Sequence, residues 1–176
     1  MEKTLLDWGP VSLIRRNHGL EHATLNLLAK SQPGPFAGHS DARGFWIIGN
    51  VSTDLVLETA REALRRMKAG ESTLAIHPYC GTNFVTAGVV AGSMAWVATL
   101  GRANSFKKKL DRWPLLVMVI TAGLIIANPL GFKVQEKIST SGNPGDLVIK
   151  QIVRYERNGP VLHHILTADS PQKAAE

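Results

Sequence analysis

Between Phe84 and Leu100 the chain runs for seventeen residues without a charge, and between Pro114 and Phe132 for nineteen more. A bilayer core of about 30 Å needs roughly 20 apolar residues in a helix, so each run sits near the lower limit for crossing. Two such runs around a hydrophilic link read as a transmembrane helical hairpin over 84–100 and 114–132. Gly88-x-x-x-Gly92, with Ala91 and Ala95, has the small-residue spacing by which membrane helices approach closely. Gly88 and Gly92 are therefore the expected contact with other membrane subunits or a second copy. Trp96 and Trp113 fall towards one end of the hairpin, as interfacial anchors do. A mean hydropathy near zero alongside 19% charged residues fits apolar sequence gathered into segments. The expected location is an inner or plasma membrane, with the lipid bilayer as the first partner.

Orientation stays open. The link Gly101–Trp113 carries Arg102, Lys107, Lys108, Lys109 and Arg112, which favours a cytoplasmic link. Against it, Arg65, Arg66 and Lys68 precede the first run, Lys133 and Lys137 follow the second, and a reduced thiol suits the cytosol. The net charge of +6 suits an anionic membrane surface. Without basic residues interleaved with aromatics, nucleic acid is not expected. One cysteine excludes an internal disulfide, and Met1–Pro10 lacks the apolar core of a cleavable signal.

The remaining sequence reads as a small α/β domain over 1–83 and a C-terminal β-hairpin over 133–168 that packs on it, followed by a tail over 169–176. The fold class is thus an α+β membrane protein. Pro10 suits the first turn of a helix running to Lys30, amphipathic along Leu13, Leu20 and Leu27. That helix would lie either in the membrane interface, with Trp8 as anchor, or on the soluble domain. The Pro- and Gly-rich stretch 31–44 reads as loop, and Phe45–Ile48 as a short strand. Ser52 or Thr53 then caps a helix ending near Gly70, and Thr73–Ile76 is a second expected strand. Asp146–Glu156 and Val161–Thr167, around Asn158-Gly159-Pro160, form the hairpin. His163 and His164 are adjacent and face opposite ways in a strand, so they are poor co-ligands. His39, in the 31–44 loop, reads as a solvent-exposed histidine.

The chemistry concentrates in Asn17-His18-Gly19-Leu20-Glu21-His22-Ala23-Thr24 and in His77-Pro78-Tyr79-Cys80-Gly81-Thr82-Asn83. On a helix, His18 and His22 stand one turn apart on one face and can share an ion. Pro78 and Gly81 enforce a turn that can aim His77 and Cys80 at one spot. Three imidazoles and a thiolate make a tetrahedral set for zinc or a similar transition metal, with a soft ligand that disfavours magnesium and calcium. Glu21 borders the same face as a third ligand, a hydrogen-bond partner of a ligating histidine, or a general base; His-x-x-Glu-His is an inverted zinc-hydrolase pattern. Thr24, Thr82 and Asn83 are candidates for orienting ligands or substrate.

His-Gly-x-Glu-His-x-Thr followed by His-Pro-x-Cys-Gly-Thr-Asn/Ser resembles a group of uncharacterised bacterial integral-membrane families. The matching positions are His18, Gly19, Glu21, His22, Thr24, His77, Pro78, Cys80, Gly81 and Thr82, within two windows covering under a third of the chain. The resemblance implies metal dependence and no particular reaction. Two functions follow: a metal-dependent hydrolase at the membrane surface with Glu21 as base, or a non-catalytic scaffold or accessory subunit with a structural zinc. A metal-free lipid-binding or assembly protein is the third reading. Three protein ligands plus water would mark the first, and four protein ligands the second.

Overall fold

The computed structural model describes residues 5–100, 110–156 and 159–170. The chain divides into two units, Met1–His77 with Glu136–Glu176, and Pro78–Gln135.

In the first unit, helix α1 (Gly9–Ser31) has Pro10 in its first turn and buries Leu20, Ala23, Leu25 and Leu28. Strands β1 (Ala37–Asp41) and β2 (Gly44–Ile48) form a hairpin. Helix α2 (Thr53–Lys68) starts at Ser52, whose Oγ accepts the Leu55 N–H, and it buries Val56, Ala60, Ala63 and Met67. Strands β3 (Leu147–Tyr155) and β4 (Leu162–Asp169) complete one antiparallel sheet in the order β1-β2-β4-β3. The sheet is mixed in origin: two strands come from before the apolar helices and two from after them. Phe45, Ile47 and Ile165, all fully buried, point to the face on which α1 and α2 lie, and this is the core. Asp41 shapes the β1–β2 turn, because its Oδ1 accepts the backbone N–H groups of Arg43 (2.6 Å) and Gly44 (3.0 Å). At Gly44, φ is +155° and a Cβ would stand 1.9 Å from the Ile165 carbonyl oxygen, so only glycine fits there.

Two expectations for this unit are corrected. Part of the 31–44 loop is strand β1: Pro33, Gly34 and Pro35 end before it, and pairing with β2 overrides the weak local propensity of Ala-Gly-His-Ser-Asp. His39 accordingly sits on an edge strand and is exposed. The strand expected over Thr73–Ile76 is a 3₁₀ turn, Ser72–Ala75. Its carbonyls are satisfied by α1 side chains instead of a neighbouring strand: Asn26 Nδ2 donates to Leu74 O (3.0 Å) and Ile76 O (2.9 Å).

In the second unit, α3 (Gly81–Thr99) packs along α4 (Trp113–Val134), and a π-helical turn follows over Gln135–Ser139. The contact runs through Ala91 and Gly123, where a Cβ on Gly123 would lie 2.9 Å from Ala91 Cα. Among the described residues, Gly88 and Gly92 have no neighbouring atom within 4 Å of where a Cβ would be. Among the described residues one helix is long and apolar enough to cross a membrane, Trp113–Ser139, and only 17% of its apolar window is buried. The expected pair of spans is therefore corrected: among the described residues one helix, not two, has the length and apolarity to cross. Helix α3 forms, but Thr86, Gly88, Gly92 and Ser93 dilute its apolar run. The basic link falls mostly on 101–109, outside the described residues, as do 157–158 of the expected hairpin turn and 171–176 of the tail.

Candidate metal centre

Helix α1 supplies the first two candidate ligands with their proton positions already determined. His18 Nδ1 lies 2.9 Å from the Ser139 carbonyl oxygen and His22 Nδ1 lies 2.8 Å from that of Ala75. A carbonyl only accepts, so each neutral ring carries its proton on Nδ1 and its lone pair on Nε2. This is how ligating histidines are oriented in metal sites. The two rings stand edge to face with centroids 4.3 Å apart, and the His77 ring lies 5.6 Å from that of His22. His22 is 1% exposed. Burial holds the His77 pKa below its ordinary value, which favours the neutral, ligating form.

The local fold explains the placement. Arg15, one turn before Gly19, donates to three carbonyls: Nε to Ile138 (2.7 Å), and Nη2 to Lys137 and Thr140 (both 3.0 Å). The Ser141 N–H in turn donates to Arg15 O at 2.9 Å. These bonds bring the 137–141 segment onto α1 and so place the Ser139 carbonyl beside His18. Cys80 is a buried thiol at the N-cap of α3, three residues after His77.

Glu21 is 4% exposed and packs against β1: a Cβ on Gly38 would stand 2.3 Å from Glu21 Oε1. Gly38 is thus what leaves room for the carboxylate. Thr24 uses its hydroxyl on the Leu20 carbonyl one turn back (2.7 Å). Asn83 braces the second motif, with Nδ2 donating to Pro78 O (2.9 Å) and Oδ1 accepting from Gln135 Nε2 (2.6 Å). Thr82 lies in the first turn of α3, where its carbonyl accepts from Thr86 Oγ1. Sequence reasoning missed Arg15, Asn26 and Gly38. Arg15 and Asn26 bond backbone carbonyls, and Gly38 only clears space for Glu21, so no partner residue type signals any of them.

The sheet histidines lie apart from this centre. His163 is fully buried on β4, with Nε2 3.2 Å from Thr53 Oγ1 and, among the described residues, no hydrogen-bond partner for Nδ1. His164 stacks on Trp46 on the opposite sheet face, with centroids 3.9 Å apart. Burial, and for His163 also the charge of Arg154, lowers both pKa values. The unfolded chain therefore takes up these protons first as pH falls, so stability is lost on going down through the ordinary histidine pKa of about 6.5. Melting temperature should drop between pH 7.5 and pH 5, and His163→Gln should flatten part of that drop. A His163→Gln profile parallel to that of the parent would show that His163 does not contribute.

The fold defines a class: an α+β unit built on a four-stranded antiparallel sheet, with a pair of helix α1 histidines as candidate metal ligands, continuous in sequence with an apolar helix pair. Residues 13–152 match the family described as Domain of unknown function (DUF6391), and the chain belongs to that family. It is also 31% identical over 160 residues to an uncharacterized protein of Picosynechococcus sp. (strain ATCC 27264 / PCC 7002 / PR-6), covering 77% of this chain and 78% of that one. No solved structure matches.

Proposed function

We propose that the protein is an integral-membrane, zinc-class metal-binding protein in which His18, His22, His77 and Cys80 hold the ion. The observation that carries this reading is the pair of Nδ1–carbonyl hydrogen bonds, which commit two neighbouring imidazoles, His22 buried and His18 half-buried, to presenting Nε2. The two rings stand edge to face with centroids 4.3 Å apart within one unit, and imidazole with the thiolate that Cys80 can supply is zinc chemistry. The membrane part rests on α4 and on the exposed apolar side chains of the second unit, including Val85, Val89, Val97, Met118 and Ile125. A contiguous exposed apolar surface of that kind needs lipid or protein to cover it. Helix α4 is the spanning element, and α3 shares its apolar layer. The open face at Gly88 and Gly92 is where a further subunit or second copy would approach.

The packing of Glu21 on Gly38 favours the structural form of the site, a scaffold or accessory subunit whose metal has four protein ligands. The catalytic form keeps Glu21 as general base toward water on a three-ligand metal. Elemental analysis of detergent-purified protein decides between them. The structural form expects about one zinc per chain, kept in Glu21→Gln and lost in Cys80→Ser. Zinc retained in Cys80→Ser would mark an open site and the hydrolase. No metal in any zinc-supplied sample would overturn both forms.

A further inference from the structure

The second unit contains a cleft of about 330 Å³ between the start of α3 and the end of α4. Tyr79, Asn83 and Phe84 line one wall, and Leu124, Asn128 and Phe132 the other. Among the described residues no charged side chain lines it. An uncharged lining offers no partner to a phosphate, carboxylate or ammonium group, and within an apolar layer a charge without a partner is costly. The volume lies at the small end of the roughly 300–1,000 Å³ typical of small-molecule sites. That is room for part of one acyl chain and too little for a whole phospholipid.

The two carboxamides in the cleft differ in what they have left to offer. Asn83 is occupied on both sides, by Gln135 at its oxygen and by the Pro78 carbonyl at its nitrogen. The Asn128 side chain is exposed on an otherwise apolar stretch of α4, and among the described residues nothing hydrogen-bonds to it. An amide surrounded by hydrocarbon is stabilised by any partner that supplies the missing bond. We infer that this cleft holds a single acyl chain of a membrane lipid, with the chain's ester carbonyl accepting from Asn128 Nδ2 and its methylenes against Phe84, Leu124 and Phe132. The inference rests on the membrane part of the proposed function and is independent of the metal. Tyr79 and Asn83 flank Cys80 in sequence, so the cleft shares its wall segment with the second metal motif.

The test uses the full chain in phosphatidylcholine–phosphatidylglycerol vesicles that contain a phospholipid with a diazirine on one acyl chain. After irradiation, labelled residues are mapped by mass spectrometry. Labelling at Phe84, Leu124 and Phe132 should exceed that at Val89 and Ile125, exposed apolar positions outside the cleft, by about tenfold. Ala87→Trp, which fills the cleft, should abolish the excess, and Asn128→Leu, which keeps the lining apolar, should reduce it severalfold. Even labelling over all these positions in protein that floats with the vesicles would overturn the cleft and leave the metal reading standing. An unchanged excess in Asn128→Leu would overturn the carbonyl contact. Protein that fails to float would overturn the membrane reading and this one together. His22→Ala should keep the excess, so loss of the metal and loss of the lipid are told apart.

Discussion

His22→Ala should reduce bound zinc from about one per chain to near none and lower the melting temperature more than a surface substitution does. Two losses combine. The first is the ligand itself, and with it the stabilisation that any ion bound only to the folded state confers. Metal present at a hundred times its dissociation constant adds ~2.7 kcal/mol, or roughly 5–11 °C at ~2–4 °C per kcal/mol in a chain of this size. The second is local: the Ala75 carbonyl loses the Nδ1–H donor that now reaches it at 2.8 Å in a buried position, a cost of about 1–3 kcal/mol. The two terms separate experimentally. A chelator should lower the melting temperature of the parent towards, but not fully to, that of His22→Ala, because the parent keeps the Ala75 bond. His39→Ala, at an exposed position on β1, should change neither reading. A parent protein whose melting is indifferent to chelator, and whose zinc content survives His22→Ala, would remove the metal from the account.

The part of this site legible in the sequence is the part encoded by spacing within one element. His18 and His22 are four apart on a helix that Pro10 and the Leu13–Leu20–Leu27 stripe announce. His77 and Cys80 flank a turn set by Pro78 and Gly81. Asp146–Glu156 and Val161–Thr167 alternate as strands do, and they are strands β3 and β4. What was not legible depends on partners far away in the chain. Strand β1 exists because β2 offers it a ladder, and β2 in turn pairs with β4, some 120 residues later. The 3₁₀ turn at Ser72–Ala75 is non-strand because Asn26 and His22 take its carbonyls. The direction of Glu21 could not be read from its place between two histidines. It follows from Gly38, whose missing side chain opens room on the sheet side of α1. Likewise the two apolar runs looked equivalent by absence of charge, while their content of Gly, Thr and Ser separates them.

Gly19→Ala should destabilise the protein and weaken metal binding, although alanine is the better helix former. Gly19 lies inside α1 between the first histidine and the rest of the motif, where replacing glycine would by itself gain about 1 kcal/mol. The surroundings reverse the sign. A Cβ at position 19 would stand 2.2 Å from the Ser141 carbonyl oxygen, 3.1 Å from its carbon and 3.3 Å from Ala75 Cβ. The obstacle is backbone, and it is tethered, since the Ser141 N–H donates to Arg15 O and Arg15 itself holds Lys137, Ile138 and Thr140. Overpacking of this kind costs ~1–3 kcal/mol and more where backbone must move, so the net change is a loss. Relief requires the 139–141 segment to shift off α1, and Ser139 supplies the carbonyl that orients His18. Misorienting a ligand through its hydrogen-bond partner typically costs 10–100-fold in metal affinity. Competition with a zinc-chelating dye should therefore show a weaker site, and thermal melting a less stable protein. Gly9→Ala, at the start of the same helix and with nothing among the described residues within 4 Å of the added Cβ, is the control that should leave zinc affinity unchanged and not lower the melting temperature. If Gly19→Ala instead matched the parent in melting and zinc affinity, the 139–141 segment would not be held against α1, and the orientation of His18 by Ser139 would fall with it.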